Sequence, residues 1–218
     1  DNTIGQIDSV ENAIYITGIE NGKLACTDIA VDTFSVENIE LNASNDINVK
    51  TATVKNVKLN TSTYLDTNIL NCSGSQINTA DRVFVGGSLN CVDSEIRAGK
   101  IDFSAIKRTY TDSIVVDNMN NTARIYGAAT LCEDLTIPSA GTIMFAEGAS
   151  ITNLDKLTVE EDAKIFVNYK MDEYGSESYE KHTHNTEATK GGTYIDSQKH
   201  YENVACKDCP IGYVTETK

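Results

Sequence analysis

An apolar residue following a short polar turn recurs along this chain at Ile7, Leu24, Leu41, Leu59, Ile77, Ile96, Val116, Ile137 and Val159, in steps that lengthen from 17 to 22 residues. A repeat of that length constrains the fold more than any composition does, because each repeat is one unit that cannot bury its apolar face alone. Two residues before the ladder position stand Ile39, Val57, Ile114, Leu135 and Leu157, with Ser75 and Ser94 as small exceptions. Between the two positions come Glu40, Lys58, Gln76, Glu95, Val115, Thr136 and Thr158. Apolar–polar–apolar is the period of a strand with one buried face, so Gln76 and its equivalents are expected to point outward. A second apolar pair follows six to eight residues on: Ile47 and Val49, Val83 and Val85, Ile143 and Phe145, Ile165 and Val167, with Ile101 and Phe103 one residue out of step. The coil at Val116 departs most, since Asn118 to Asn121 push its second strand toward Ile125.

Coils of this length with two or three short strands each predict an all-β chain: a parallel β-helix of about eight to nine coils over residues 1–167. Strict hexapeptide periodicity is absent, and parallel crossovers are right-handed in most sheets, so a right-handed winding is expected. The competing reading is an antiparallel sandwich. Its hairpin signal, Asn-Gly, occurs at Asn21-Gly22 but does not recur between strands. Composition agrees with strands: β-branched residues are plentiful, there is no Trp, and Pro occurs twice.

At residue 168 the composition shifts. Residues 168–218 hold six of the ten Tyr, all three His and two of the six Cys, which reads as a small cap or assembly segment. A terminal coil needs one, because its unpaired strand edges otherwise invite pairing with another chain. Gly192-Thr193-Tyr194-Ile195 and Gly212-Tyr213-Val214-Thr215 are short strand-like pieces able to add to such an edge, which makes Tyr194, Ile195, Tyr213 and Val214 the candidate assembly residues.

Lys and Arg total 18 against 32 Asp and Glu, a net charge of −14. That surface repels phosphate backbones and anionic bilayers, so neither nucleic acid nor membrane is an expected partner. No run nears the ~20 apolar residues of a membrane span. The sequence opens at Asp1, which reads as a processed or excised chain.

The cysteines offer two candidate disulfides. Cys72 and Cys91 lie in matching contexts, Leu-Asn-Cys, each five residues before a ladder position, so they should stack in adjacent coils, bridged or as a reduced pair. Cys132 sits at the same offset two coils on, out of reach of Cys91. Cys206-Lys207-Asp208-Cys209 is a CxxC without the strand–helix context of a redox motif, leaving a small disulfide or half a metal site. His182, His184 and His200 could complete a metal site with those cysteines, but the spacing fits no zinc pattern, and neither metal nor cofactor is expected. With Pro210-Ile211-Gly212-Tyr213, the segment resembles the CxxCPxGY pieces of Cys-rich extracellular modules.

Catalysis on polysaccharides requires clustered carboxylates beside a cation, and the sequence offers only Asp81-Arg82 and Asp102 with Lys107-Arg108. No catalytic residue is therefore expected. Asn42, Asn60 and Asn71 each open an Asn-x-Ser acceptor pattern for glycosylation. Over about three quarters of its length the chain resembles the parallel β-helix passenger domains of bacterial surface adhesins and related extracellular fibre proteins. The resemblance is architectural and carries over no functional residue. It implies a rigid, extended, protease-resistant module on or beyond the cell surface. Taken with the residue pattern, the expectation is a non-enzymatic structural or adhesive protein that self-associates into filaments through its end coils or C-terminal segment, with glycans or a host surface as further partners. The alternative is a β-helix that binds or cleaves carbohydrate.

Overall fold

The computed structural model describes residues 6–19, 22–102, 104, 107–160, 163–172 and 176–181. The chain is a β-solenoid of about eight stacked turns. Its first half comprises β1 (Gln6–Val10), β2 (Ala13–Thr17), β3 (Lys23–Cys26), β4 (Ile29–Glu37), β5 (Glu40–Ala43) and β6 (Ile47–Lys55). It continues through β7 (Lys58–Thr61), β8 (Tyr64–Ser73), β9 (Gln76–Val92), β10 (Glu95–Asp102), β11 (Lys107–Thr111) and β12 (Ser113–Asp117). In long strands such as β6 and β8 the buried face shifts by one residue midway, at Lys50 and Asn68. This divides the continuous ladder into three faces, sheets I, II and III.

Sheet I stacks 23–26, 40–43, 58–61, 76–79, 95–98 and 113–117 in parallel. Its inner column is Leu24, Leu41, Leu59, Ile77 and Ile96, in the register expected from the repeat. Sheet II has the inner column Ile29, Ile47, Leu65, Val83 and Ile101, the last after a register shift past Ala98. Sheet III carries two inner columns: Ile14, Phe34, Ala52, Leu70 and Leu89, and Ile16, Val36, Val54, Cys72 and Cys91. Nearly all of these side chains are buried in one continuous core. Size varies down a column, with Ala52 next to Phe34, so side chains of unequal bulk share the interior.

The corner from sheet III back to sheet I is built the same way in five successive coils. Asn38, Asn56, Gly74, Asp93 and Asp112 all have positive φ, between 46° and 57°, and lie one above another. Short polar residues and glycine tolerate this left-handed turn where a β-branched residue would clash. The ladder does not break there: the Asn56, Gly74 and Asp93 amides donate to Ser73, Val92 and Thr111 carbonyls of the next coil. One residue later an amide is left without a backbone acceptor, and serine supplies one. Ser75 Oγ accepts from Val57 N at 3.2 Å, Ser94 Oγ from Ser75 N at 3.2 Å, and Ser113 Oγ from Ser94 N at 3.3 Å. The two serines that interrupt the apolar pattern are thus structural acceptors for buried amides.

Among the described residues, three hairpins interrupt the parallel winding. β1 runs antiparallel to β2, so Ile7 pairs with Ile16 and not with Leu24 as the repeat predicted. Asn12, at φ 57°, makes the tight turn that reverses the chain. The second hairpin joins β12 to β13 (Thr122–Tyr126) across the Asn118–Asn121 turn. Asp117 fastens this turn, its carboxylate accepting from Asn120 N at 3.1 Å and Asn120 Nδ2 at 2.9 Å. Beyond it come β14 (Ala128–Thr130), β15 (Leu135–Ile137), β16 (Thr142–Ala146), β17 (Ser150–Thr152), β18 (Leu157–Val159), β19 (Lys164–Met171) and β20 (Glu177–Lys181). β13, β16 and β19 stack in parallel, β14 pairs with β17 and β15 with β18, and β20 closes antiparallel on β19.

This hairpin moves the core to the other face of the sheet. Val115, not Val116, stacks on Ile96, because Ile114 aligns with Glu95. Ile114 and Val116 therefore continue the outer columns of sheet I, and they belong to a second core with Ala123, Ile125, Ile143, Phe145 and Ile165. Ile137 packs in that core and stacks on Val159, as expected, but not beneath Val116. Ile143 and Ile165 likewise extend sheet I through β13, not sheet II. β12 is the wall shared by two cores and is buried along its whole length.

The second half also folds back over the outside of sheet I, which corrects the outward reading of Gln76. Glu95 is 1% exposed and Gln76 9%. Glu95 Oε2 accepts from Cys132 N at 3.0 Å, and Arg97 donates to the Glu133 and Asp134 carbonyls at 2.9 and 2.7 Å. Glu95 and Arg97 are themselves ion-paired, and Lys58 pairs with Glu133 at 2.6 Å. A charge removed from water is tolerable only with such partners. Arg97→Ala should cost about 3–5 kcal/mol in urea unfolding by leaving Glu95 buried without its cation, while Glu95→Leu with Arg97→Met should lie within about 1–2 kcal/mol of the parent. Equal losses in the single and double variants would show that the pair does not clasp the halves. In the first core, Leu59→Ala should cost about 2–5 kcal/mol, and exposed Asn48→Ala less than about 0.5 kcal/mol.

Candidate functional site

The surfaces able to meet another molecule are the ends of the stack and the outer faces of its sheets. At the upper end, β3 hydrogen-bonds only to β5, so its other edge is free among the described residues. Leu24 and Cys26 are half-buried there, whereas Leu41 one coil below is fully buried. Unmet backbone groups beside a partly open apolar column make a template for strand addition. The lower end of the second half repeats the pattern. Among the described residues, β17 and β18 each have one partner strand, and Leu157 and Val159 are half-buried while Leu135 and Ile137 above them are buried.

The lower end of the first core is closed differently. Tyr110 sits beneath Cys91 and stacks on Tyr126 with centroids 4.1 Å apart, and Tyr169 meets Tyr126 edge-on at 6.1 Å. Arg124 bonds the Tyr169 hydroxyl at 3.1 Å and Glu177 at 2.8 Å. Burial raises the phenol pKa of Tyr110 and Tyr126 far above the ordinary value, so these rings stay neutral and close the column as an aromatic plug. No spacing in the sequence marks this cluster, since its members come from three strands joined only by the hairpin.

Cys72 and Cys91 form a disulfide across adjacent coils, with Cα atoms 4.9 Å apart in the core. Parallel register makes the bridge possible, because it puts equivalent positions one strand spacing apart. Cys26 and Cys132 are free thiols, and burial raises the pKa of both, which disfavours the reactive thiolate.

Among the charged candidates, Arg82 pairs through two contacts with Asp66 in the coil above, not with its neighbour Asp81. Asp102 lies 3.9 Å from Lys100 rather than beside Lys107. Asp66 holds Arg82 directly, while Asp81 and Asp102 act on it only through space. Among the described residues, no group of three His, Cys, Asp or Glu could hold a metal ion. Two of the three glycosylation patterns are engaged in an outer amide ladder: Asn60 Nδ2 donates to Asn42 Oδ1 at 2.8 Å, and Asn78 Nδ2 to Asn60 Oδ1 at 2.9 Å. Asn71 is half-buried on the outer face of sheet III. His182, His184, Tyr194, Ile195, His200, Cys206, Cys209, Tyr213 and Val214 lie outside the described residues.

These features define a β-solenoid with two cores, an internal disulfide and open strand edges at both ends. No family model, curated protein or solved structure matches the chain.

The disulfide closes a segment of 19 residues, for which chain entropy gives a stabilisation of about 3 kcal/mol. Cys72→Ser with Cys91→Ser should lower unfolding stability by about that amount, and mass spectrometry of the intact parent without reductant should find the 72–91 linkage.

Proposed function

We propose that this chain is a non-enzymatic structural or adhesive β-solenoid of the extracellular space or cell surface, and that it self-associates end to end. The observation that carries the reading is the pair of ends left open among the described residues, with free edges on β3 and on β17 and β18 beside half-buried Leu24, Leu157 and Val159. Contact between unlike ends is heterologous and need not close, so it propagates as a filament. The proposed donors are the strand-like pieces around Tyr194–Ile195 and Tyr213–Val214, adding to an edge of the next molecule. An extracellular setting accords with the Cys72–Cys91 bridge, because cytosolic thiols are kept reduced. The non-enzymatic reading rests on the local pairing of Asp66 with Arg82 and Asp32 with Lys50.

Light scattering and negative-stain electron microscopy test the proposal. The intact chain should form concentration-dependent rods, and Leu24→Lys or Val159→Lys should leave folded monomers by placing a charge at one end. Deleting residues 182–218 should likewise abolish the rods if the tail donates the strand. A chain that stays monomeric at every concentration would sink the assembly reading.

A further inference from the structure

The outer face of the solenoid carries a groove that the end-to-end reading does not use. It follows the corner between sheets II and III across successive coils and is lined by Asp32, Asn48, Lys50, Asp66, Asn68 and Phe84. Parallel register is what assembles it. Asn48, Asp66 and Phe84 are equivalent positions of consecutive coils, as are Ala30 above and Asp102 below. From Ala30 to Phe84 the groove covers three coil spacings, about 14 Å, the length of a short oligosaccharide.

Among the described residues, two glycines keep its lower part open. A Cβ on Gly86 would stand 3.3 Å from Asn68 Oδ1 and 3.4 Å from the Phe84 ring, and one on Gly87 would reach 2.7 Å from Asn68 Oδ1. Without those atoms, the ring edge and the amide remain accessible side by side. The ring belongs to a small fixed platform: the Arg82 guanidinium lies 5.6 Å from the Tyr64 centroid and 5.7 Å from that of Phe84 while held by Asp66. A rigid aromatic surface beside planar amide and carboxylate groups suits a ligand with an apolar C–H face and many hydroxyls.

Charge narrows the ligand further. The two cations at the groove are already neutralised, Lys50 by Asp32 at 2.9 Å and Arg82 by Asp66. An acidic glycan would find no uncommitted cation in the groove and would meet a chain of net charge −14. We propose that the groove along Asn48, Asp66, Asn68 and Phe84 binds a neutral oligosaccharide segment, with the Phe84 ring packing on a sugar face and the amides and carboxylates bonding hydroxyls. The site is independent of the stack ends, so it stands or falls separately from self-association.

Affinity electrophoresis of the full chain tests it, in gels holding hydroxyethyl cellulose, glucomannan, galactomannan or polygalacturonate, with light scattering recording the assembly state of each sample. At least one neutral polymer should retard the protein, and polygalacturonate should not. Phe84→Ala and, separately, exposed Asn48→Ala should each weaken that binding by about tenfold, as loss of a central contact does, while Thr53→Ala on sheet III should leave it unchanged. Three results overturn the proposal: no retardation in any neutral gel, retardation in polygalacturonate alone, or neutral-glycan binding that neither Phe84→Ala nor Asn48→Ala reduces.

Discussion

Everything in this structure depends on an in-register parallel hydrogen-bond ladder. Once one coil's amides pair with the next coil's carbonyls at about 4.8 Å, equivalent residues must lie above one another. Leucines and isoleucines then fill columns, asparagines form an amide ladder, and two cysteines meet closely enough to bridge. The ladder holds through the corners because the same left-handed conformation recurs at Asn38, Asn56, Gly74, Asp93 and Asp112. It also creates the molecule's vulnerability. A ladder that can always accept one more strand must be stopped at its ends, and here the ends are stopped unequally. Tyrosine rings close the first core from below, whereas β3, β17 and β18 keep one edge free among the described residues.

The β12–β13 hairpin is the second organising element. A solenoid continuing past Asp117 would have kept a single core, but reversal at Asn118–Asn121 sends the following strands to the opposite face of sheet I. β12 must then be apolar on both sides, as Ile114, Val115 and Val116 are. The outer columns that are polar higher in the stack, at Glu95 and Arg97, pass under the returning 131–134 segment. They survive burial because they are paired to each other and to its backbone. Two stacks are thus joined by a shared apolar wall and a charged clasp.

Much of the first half was legible from residue spacing. The column Leu24 to Ile96 follows directly from a constant repeat, since apolar residues at equal intervals can only be buried together by stacking. The stacking of Cys72 on Cys91 was legible for the same reason. The one-residue displacement at Val116 was not, though Ile114-Val115-Val116 held a clue: three apolar residues in succession mark a strand buried on both faces. Gln76 reads as outward because alternation reports which side of its own sheet a residue occupies. Alternation carries no information about a distant segment that later covers that side. The open groove at Phe84 and Asn68 was equally hidden, as its members become neighbours only through register.

The amino-acid sequence by itself determined the architecture: coil length, the inward columns, the stacked cysteines and the polar corners, all local or periodic properties. Only the tertiary structure decided where the core changes face, which polar residues are buried, how each end of the stack is finished and which outer residues share a groove. The physical reason is that these depend on non-local closure. A turn at Asn118–Asn121 redirects every strand after it, and contacts such as Arg97 with Glu133 or Tyr110 with Tyr126 then follow from where the chain returns.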